Sequence, residues 1–144
     1  MSTIALAPSH PAAAKLRSVA YWGATTLTAL AFVAGGIADL TRALAVAAAM
    51  SHLDYPTYFA SILSAWKLLG ALAIVAPRFP RLKEWAYAGA FFDLSGAVVS
   101  HIACHDSARD ILTPVVLIAV TVVSWALRPP SRRLGELFSA NQSA

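Results

Sequence analysis

The sequence predicts an all-α fold: a four-helix transmembrane bundle with its N- and C-termini in the cytoplasm. Three observations support it: the composition is 58% hydrophobic and only 12% charged, the apolar residues form four long blocks, and lysine and arginine are unevenly distributed between the loops. Soluble domains are about 25% charged, and a chain of 144 residues has too small a core to hide so much apolar surface from water. We therefore expect the chain to be embedded in a lipid bilayer.

Each apolar block is close to the roughly 20 residues that a helix needs to cross a membrane. The blocks are 18–38, 58–76, 85–103 and 111–127. Most prolines lie between the blocks, where they end helices, and Pro114 is expected in the first turn of the fourth, where a missing N–H is tolerated. A further external helical segment is predicted at about 40–53, because its apolar residues recur at helical spacing.

The orientation follows from the basic residues, which concentrate on the cytoplasmic side of membrane proteins. Only Arg42 and Arg109 fall on the external side, and Lys67 lies within the second block. The other eight fall on the side of the N-terminus: Lys15, Arg17, Arg78, Arg81, Lys83, Arg128, Arg132 and Arg133. The tails 1–17 and 129–144 are then both cytoplasmic. Because topology accounts for the net charge of +4, no nucleic-acid partner is expected.

Two charged residues interrupt the blocks at membrane depth. Lys67 lies at the centre of the second block, and Asp93 lies in the third at nearly the same depth, so the two are predicted to pair. Unpaired charges are costly there, and intramembrane ionisable residues usually mark functional sites. We therefore take Lys67, Asp93, His101 and Asp39 as candidates for ligand binding or proton relay. The alternative is an ion pair that only fixes helix register.

Small and hydroxyl-bearing residues predict close helix packing around these charges. The first span presents Thr25, Thr28, Gly35, Gly36 and Asp39 on one face, and the fourth adds Thr121 and Ser124. Glycines also lie at helical spacing from the charged residues: Gly70 near Lys67, with Gly89 and Gly96 near Asp93. These residues are expected to line a compact, polar bundle interior.

A second set of polar residues lies near the external surface, and includes His52, His101, His105 and Asp106. His101 and His105 have the spacing of two metal ligands on one helix face, provided that the helix continues to His105. This pattern is common by chance, so no metal site is predicted. A role for His101 in pH sensing or substrate entry is an alternative. The single cysteine, Cys104, excludes an intrachain disulfide.

Several segments of the sequence resemble the DoxX-like family of small membrane proteins. They are 52–59 (HLDYPTYF), 66–70 (WKLLG), 77–89 (PRFPRLKEWAYAG) and 92–97 (FDLSGA), followed by Ser100 and His101. The resemblance covers about residues 19–128 and implies a four-helix protein of the bacterial inner membrane. The wider family is named after a subunit of a thiosulfate:quinone oxidoreductase, which implies redox work beside the quinone pool. The resemblance supplies no catalytic motif, so it leaves open whether the chain is an enzyme.

The leading functional hypothesis is an accessory or redox-associated membrane subunit. Its polar pocket around Lys67 and Asp93 would accept a quinone or another small amphiphile, and it would work with a soluble redox partner. A small proton-coupled transporter, acting as a homodimer, is the first alternative. A non-catalytic membrane scaffold is the second. No cofactor other than quinone is indicated.

Overall fold

The computed structural model describes residues 11–133, and these residues confirm the all-α prediction. These described residues form five α-helices: α1 (Pro11–Leu40), α2 (Leu44–His52), α3 (Thr57–Val75), α4 (Pro80–Ala103) and α5 (Ala108–Ala126). A short 3₁₀ turn follows at Pro130–Arg132. The outer parts of both predicted tails, 1–10 and 134–144, lie outside the described residues.

The four long helices pack in a ring. α1 contacts α3 and α5, α4 contacts the same two helices, and the short α2 packs against α3. One apolar layer joins all four long helices near the middle of the ring. It consists of Phe32, Ala71, Ala90 and Leu94, with Leu117 and Ile118 packed against them.

The outer faces of the ring are strongly apolar and exposed. Trp85, Phe92, Trp66 and Leu72 have exposed fractions of 80%, 70%, 69% and 68%. Exposing so many large apolar side chains to water is unfavourable, whereas the hydrocarbon of a bilayer accommodates them. By length and composition, α1, α3 and α5 can each cross a membrane. α4 is longer than α3 and α5 but more polar, since Asp93 and His101 lie within it.

The turn between α3 and α4 reverses the chain over four residues, 76–79. Arg78 and Phe79 adopt left-handed backbone conformations, with φ of 64° and 48°, and Pro80 begins α4. Pro77 has no N–H to donate to the Ala73 carbonyl, which would otherwise be left without a partner. The Lys83 ammonium group donates to that carbonyl and also to the carbonyls of Ile74 and Ala76. Lys83 thus caps the C-terminal end of α3 and fixes the hairpin.

Two details of the sequence analysis were wrong. Pro114 lies inside α5, not in its first turn, because the helix already begins at Ala108. The predicted close approach at Gly70, Gly89 and Gly96 is also absent, since a side chain added at any of them would meet nothing within 4 Å. Gly36 is different: an added Cβ would lie 2.9 Å from Leu68 Cγ and 3.3 Å from the Ser64 carbonyl oxygen. The tightest helix contact therefore joins α1 to α3.

Candidate functional site

The two charged residues at membrane depth, Lys67 and Asp93, lie near Asp39 at the end of α1, and the three are here called the charged cluster. Lys67 Nζ donates to Asp39 Oδ2 at 2.8 Å, so α1 and α3 are joined by an ion pair. The Lys67 side chain passes Gly35, where an added Cβ would lie 3.7 Å from its Cδ. Ser64, one turn away, donates to the Gly36 carbonyl at 2.8 Å. Glycines and a hydroxyl thus bring the two helices close enough for the ion pair.

The predicted pairing of Lys67 with Asp93 was wrong. Helical side chains lean toward the N-terminus of their own helix. α3 runs antiparallel to α1 and α4, so Lys67 leans toward the predicted external side while Asp39 and Asp93 lean the opposite way. At similar depth, Lys67 and Asp93 therefore diverge, whereas Lys67 and the more external Asp39 converge.

Asp93 nevertheless belongs to the charged cluster. The charges of Lys67 and Asp39 both act on its carboxyl group. Within the described part of the chain, Asp93 has no hydrogen-bond or ion-pair partner. The charged cluster thus holds two carboxyl groups and one ammonium group, and within the described residues only one of the carboxyl groups is paired.

Access to the charged cluster is unequal. The Asp39 side chain is 7% exposed and that of Lys67 is 21% exposed. A ligand arriving from the surface of the bundle can therefore reach the Lys67 side chain more easily than the Asp39 carboxylate that holds it.

A second polar group, the inner network, lies at the opposite end of the bundle. Ser124 Oγ is 2.7 Å from both the Thr25 hydroxyl and the Tyr87 hydroxyl, which joins α1, α4 and α5. Thr28 and Thr121 face each other one turn deeper, at 3.5 Å. The predicted inward position of the threonines and of Ser124 is confirmed by their burial.

Arg128 closes the inner network on the cytoplasmic side predicted by the sequence. It is only 3% exposed, its guanidinium group lies over the Tyr87 ring, and its Nη2 donates to Glu84 Oε1 at 2.8 Å. The contacts of Arg128 were not predicted from the sequence, since Lys83 and Arg128 were both expected to be surface charges. The spacing of Glu84 and Tyr87 on α4 could have indicated part of them, because the two share one helix face. Arg128, however, lies beyond the end of α5 at Ala126.

The external histidines form a third group, the outer cluster of His52, His101 and Asp106. The Asp106 carboxylate accepts from His52 Nε2 and from His101 Nδ1, both at 2.6 Å. These hydrogen bonds lower the pKa of the Asp106 carboxyl group, because they stabilise its charged form. The outer cluster ties the end of α2 to the end of α4 and to the following loop.

The outer cluster does not place the two candidate metal ligands together. α4 ends at Ala103, and His105 follows with a left-handed backbone (φ of 56°), so His101 and His105 do not share a helix face. The described residues contain no group of three or more His, Cys, Asp and Glu side chains able to hold a metal ion. His101 lies in the outer cluster, apart from the Lys67–Asp39 pair.

Comparison with known proteins places the chain in a family. The model of the DoxX-like family matches residues 23–124, so the chain belongs to that family and the predicted resemblance is confirmed. No curated protein and no solved structure matches it. Since residues 11–133 contain three helices able to cross a membrane, the chain is a multi-pass membrane protein embedded in a lipid bilayer.

Proposed function

We propose that this member of the DoxX-like family is an accessory, redox-associated subunit of the bacterial inner membrane that binds the headgroup of a quinone or another small amphiphile. The binding site is the charged cluster of Asp39, Lys67 and Asp93. The observation that carries this proposal is the charge imbalance of the cluster, in which two carboxyl groups lie near one ammonium group.

The proposal includes four membrane crossings, with α4 as the fourth. α4 packs between α3 and α5, both of which are apolar enough to span a bilayer, and it presents exposed apolar side chains such as Phe92 and Val99. An even number of crossings places both termini on one side. The excess of lysine and arginine at that end of the bundle then makes it the cytoplasmic side.

The charge imbalance makes Asp93 the reactive member of the charged cluster. An unpaired carboxylate within a bilayer costs a few kcal/mol on insertion scales. Lys67 and Asp39 neutralise each other, so Asp93 is most stable when it carries a proton. A protonated carboxyl group has an O–H to donate.

A quinone headgroup fits the donors that the charged cluster offers. Its two carbonyl oxygens are acceptors, and Lys67 keeps N–H groups beyond the one donated to Asp39. Asp93 supplies a second donor and is the group able to exchange a proton with a bound quinone. We assign electron delivery to a soluble redox partner. This chain binds the headgroup and donates the proton.

Measuring the quinone content of the extracted protein tests the proposal directly. The wild-type protein would be extracted into lipid nanodiscs without detergent washing, and quinone per protein would be compared with that of Asp93→Asn and Lys67→Met. We expect Lys67→Met to lose about tenfold in bound quinone, because it removes a donor worth on the order of 1.4 kcal/mol. Asp93→Asn keeps a donor in its amide group but cannot exchange a proton, so its loss of quinone should be smaller. Asp54→Asn is the matched control, since Asp54 is exposed in a left-handed turn that asparagine tolerates. Equal quinone content in all four proteins would refute the proposal.

Proton-coupled transport is the second candidate, and the unpaired Asp93 favours it. A carboxyl group that gains and loses a proton beside a fixed ion pair can couple proton movement to a substrate. Proteoliposomes would then show uptake driven by a pH gradient in the wild type and in Asp54→Asn, but not in Asp93→Asn. Uptake that is independent of the gradient would exclude coupling.

A non-catalytic scaffold, the third hypothesis, makes a different prediction about the ion pair. If the pair of Asp39 and Lys67 only fixes helix register, Asp39→Asn combined with Lys67→Met should recover the stability lost by each single change, because no buried charge is left alone. The scaffold predicts that the double variant also keeps full physiological activity. Loss of activity in a stable double variant would exclude it.

A further inference from the structure

A groove between α4 and α5 opens toward the expected lipid and is separate from the charged cluster. It has a volume of about 470 Å³, and Ala88, Phe91, Phe92 and Val122 form its apolar part. Glu84, Tyr87 and Trp125 line its cytoplasmic end. From Glu84 to Phe92 the groove follows α4 for about 12 Å at 1.5 Å per residue, close to the roughly 15 Å depth of one bilayer leaflet's hydrocarbon.

Arg128 contacts the three residues at the cytoplasmic end of the groove. Its guanidinium group lies 5.0 Å from the centre of the Tyr87 ring and 5.4 Å from that of the Trp125 ring. Glu84 accepts from both Arg128 Nη2 and Trp125 Nε1. One donor remains: Nη1 of Arg128 is buried and has no acceptor among the residues that the structure describes.

The unpaired Nη1 indicates a missing anionic acceptor. A buried charged donor without a partner is costly, and native proteins rarely leave one. Arg133 lies beside Arg128 and donates to its carbonyl oxygen. Since Glu84 is already shared between Arg128 and Trp125, this end of the groove has an excess of positive charge within the described chain.

We propose that the groove binds an anionic phospholipid of the cytoplasmic leaflet. The phosphate group accepts hydrogen bonds from the Arg128 guanidinium group, and one acyl chain lies along Phe91 and Phe92. The Trp125 indole, which is 47% exposed, covers one side of the guanidinium group and shifts to admit the phosphate. Charge complementarity selects a lipid over a quinone here, since a quinone headgroup carries no anionic oxygen.

Native mass spectrometry of the full chain, with added phosphatidylglycerol or phosphatidylcholine, tests this proposal. We expect the wild type to retain about tenfold more phosphatidylglycerol than phosphatidylcholine, and Arg128→Gln to abolish that preference. Arg132→Gln is the matched control, because Arg132 lies at the same end of the bundle but contacts Tyr21 and Trp22 on α1. It should retain the wild-type preference.

A second variant keeps the test decisive if Arg128→Gln fails to fold. Ala88→Phe fills the groove from an exposed helix position and leaves Arg128 unchanged. We expect it to fold and to lose bound phosphatidylglycerol. Equal retention of the two lipids by the wild type, unchanged retention in Ala88→Phe, or an equal loss in Arg132→Gln would each overturn the proposal. Loss of a bound quinone or of a dimer from Ala88→Phe, with lipid retention unchanged, would assign the groove to that other occupant.

Discussion

Gly36 sets the distance between α1 and α3, and with it the geometry of the Lys67–Asp39 ion pair. A Cβ at this position would press against Leu68 and against the Ser64 carbonyl oxygen. The Leu68 side chain can rotate, but the backbone carbonyl can move only together with α3. The close approach therefore depends on the missing side chain at Gly36.

Gly36→Ala is predicted to destabilise the protein by about 1–3 kcal/mol, the usual cost of overpacking. Thermal unfolding in detergent would show a lowered midpoint for this variant. Gly89→Ala is the control, since its new methyl group enters open space and alanine is the better helix former. A midpoint for Gly36→Ala that equals or exceeds that of Gly89→Ala would contradict the assigned helix contact.

The sequence was informative about which residues lie inside the bundle, but less so about their partners. Hydropathy and helical spacing located Lys67, Asp93 and the inward threonines, since these depend only on position along a helix. The ion-pair partner of Lys67 depends on the direction in which each side chain leans. The predicted pairing considered only the depth of each residue in the membrane. Lys83 was likewise placed at the correct end, but its burial follows from a turn geometry that no sequence pattern specified.

At the scale of elements, the outer cluster fastens α2 to the end of α4. The helix boundaries near it could be predicted only roughly, because Asp54 and His105 end their helices with left-handed turns without being glycine. The metal-ligand interpretation of His101 and His105 failed for the same reason. The hydrogen bonds to Asp106 are the main polar link between these two segments.

The outer cluster should make α2 sensitive to acid. The pKa of the Asp106 carboxyl group is lower in the folded protein than its ordinary value of about 3.9. Its contribution to stability is therefore fully present above about pH 4 and is lost as the pH falls through the lowered folded pKa. The protection of α2 amides against hydrogen exchange, corrected for the intrinsic pH dependence of exchange, should fall over this range in the wild type. Asp106→Asn should show lower protection above about pH 4, without the additional change in acid.

A wild-type exchange rate that stays parallel to that of Asp106→Asn throughout the acid range would contradict this role of the outer cluster. Asp110→Asn is the matched control, because Asp110 lies in the same region and accepts from Ser107, not from a histidine. It should retain the acid response of the wild type.

At the scale of the whole molecule, the topology depends on whether α4 crosses the membrane. A chain in which only α1, α3 and α5 crossed the membrane would place Cys104 inside and the C-terminal end outside. Four crossings reverse both positions. The single cysteine of the sequence, half-buried at the end of α4, provides a natural probe of this difference.

Labelling with a membrane-impermeant maleimide is predicted to modify Cys104 in cells whose inner membrane is intact and whose outer membrane has been permeabilised. Ser131→Cys in a Cys104→Ser background, placed in the exposed turn after α5, should react only after the inner membrane is opened. The opposite pattern would establish three crossings and would place the C-terminal end of the chain outside.

The proposed function rests on the claim that a quinone headgroup binds at Lys67 in the charged cluster. Solid-state NMR in lipid bilayers can measure the dipolar coupling between ¹⁵N-labelled lysine side chains and a ¹³C-labelled quinone carbonyl. We predict a coupling that corresponds to hydrogen-bond contact in the wild type, is retained in Lys15→Met, and is absent in Lys67→Met. The absence of any coupling, or a coupling that survives Lys67→Met, would contradict the claim.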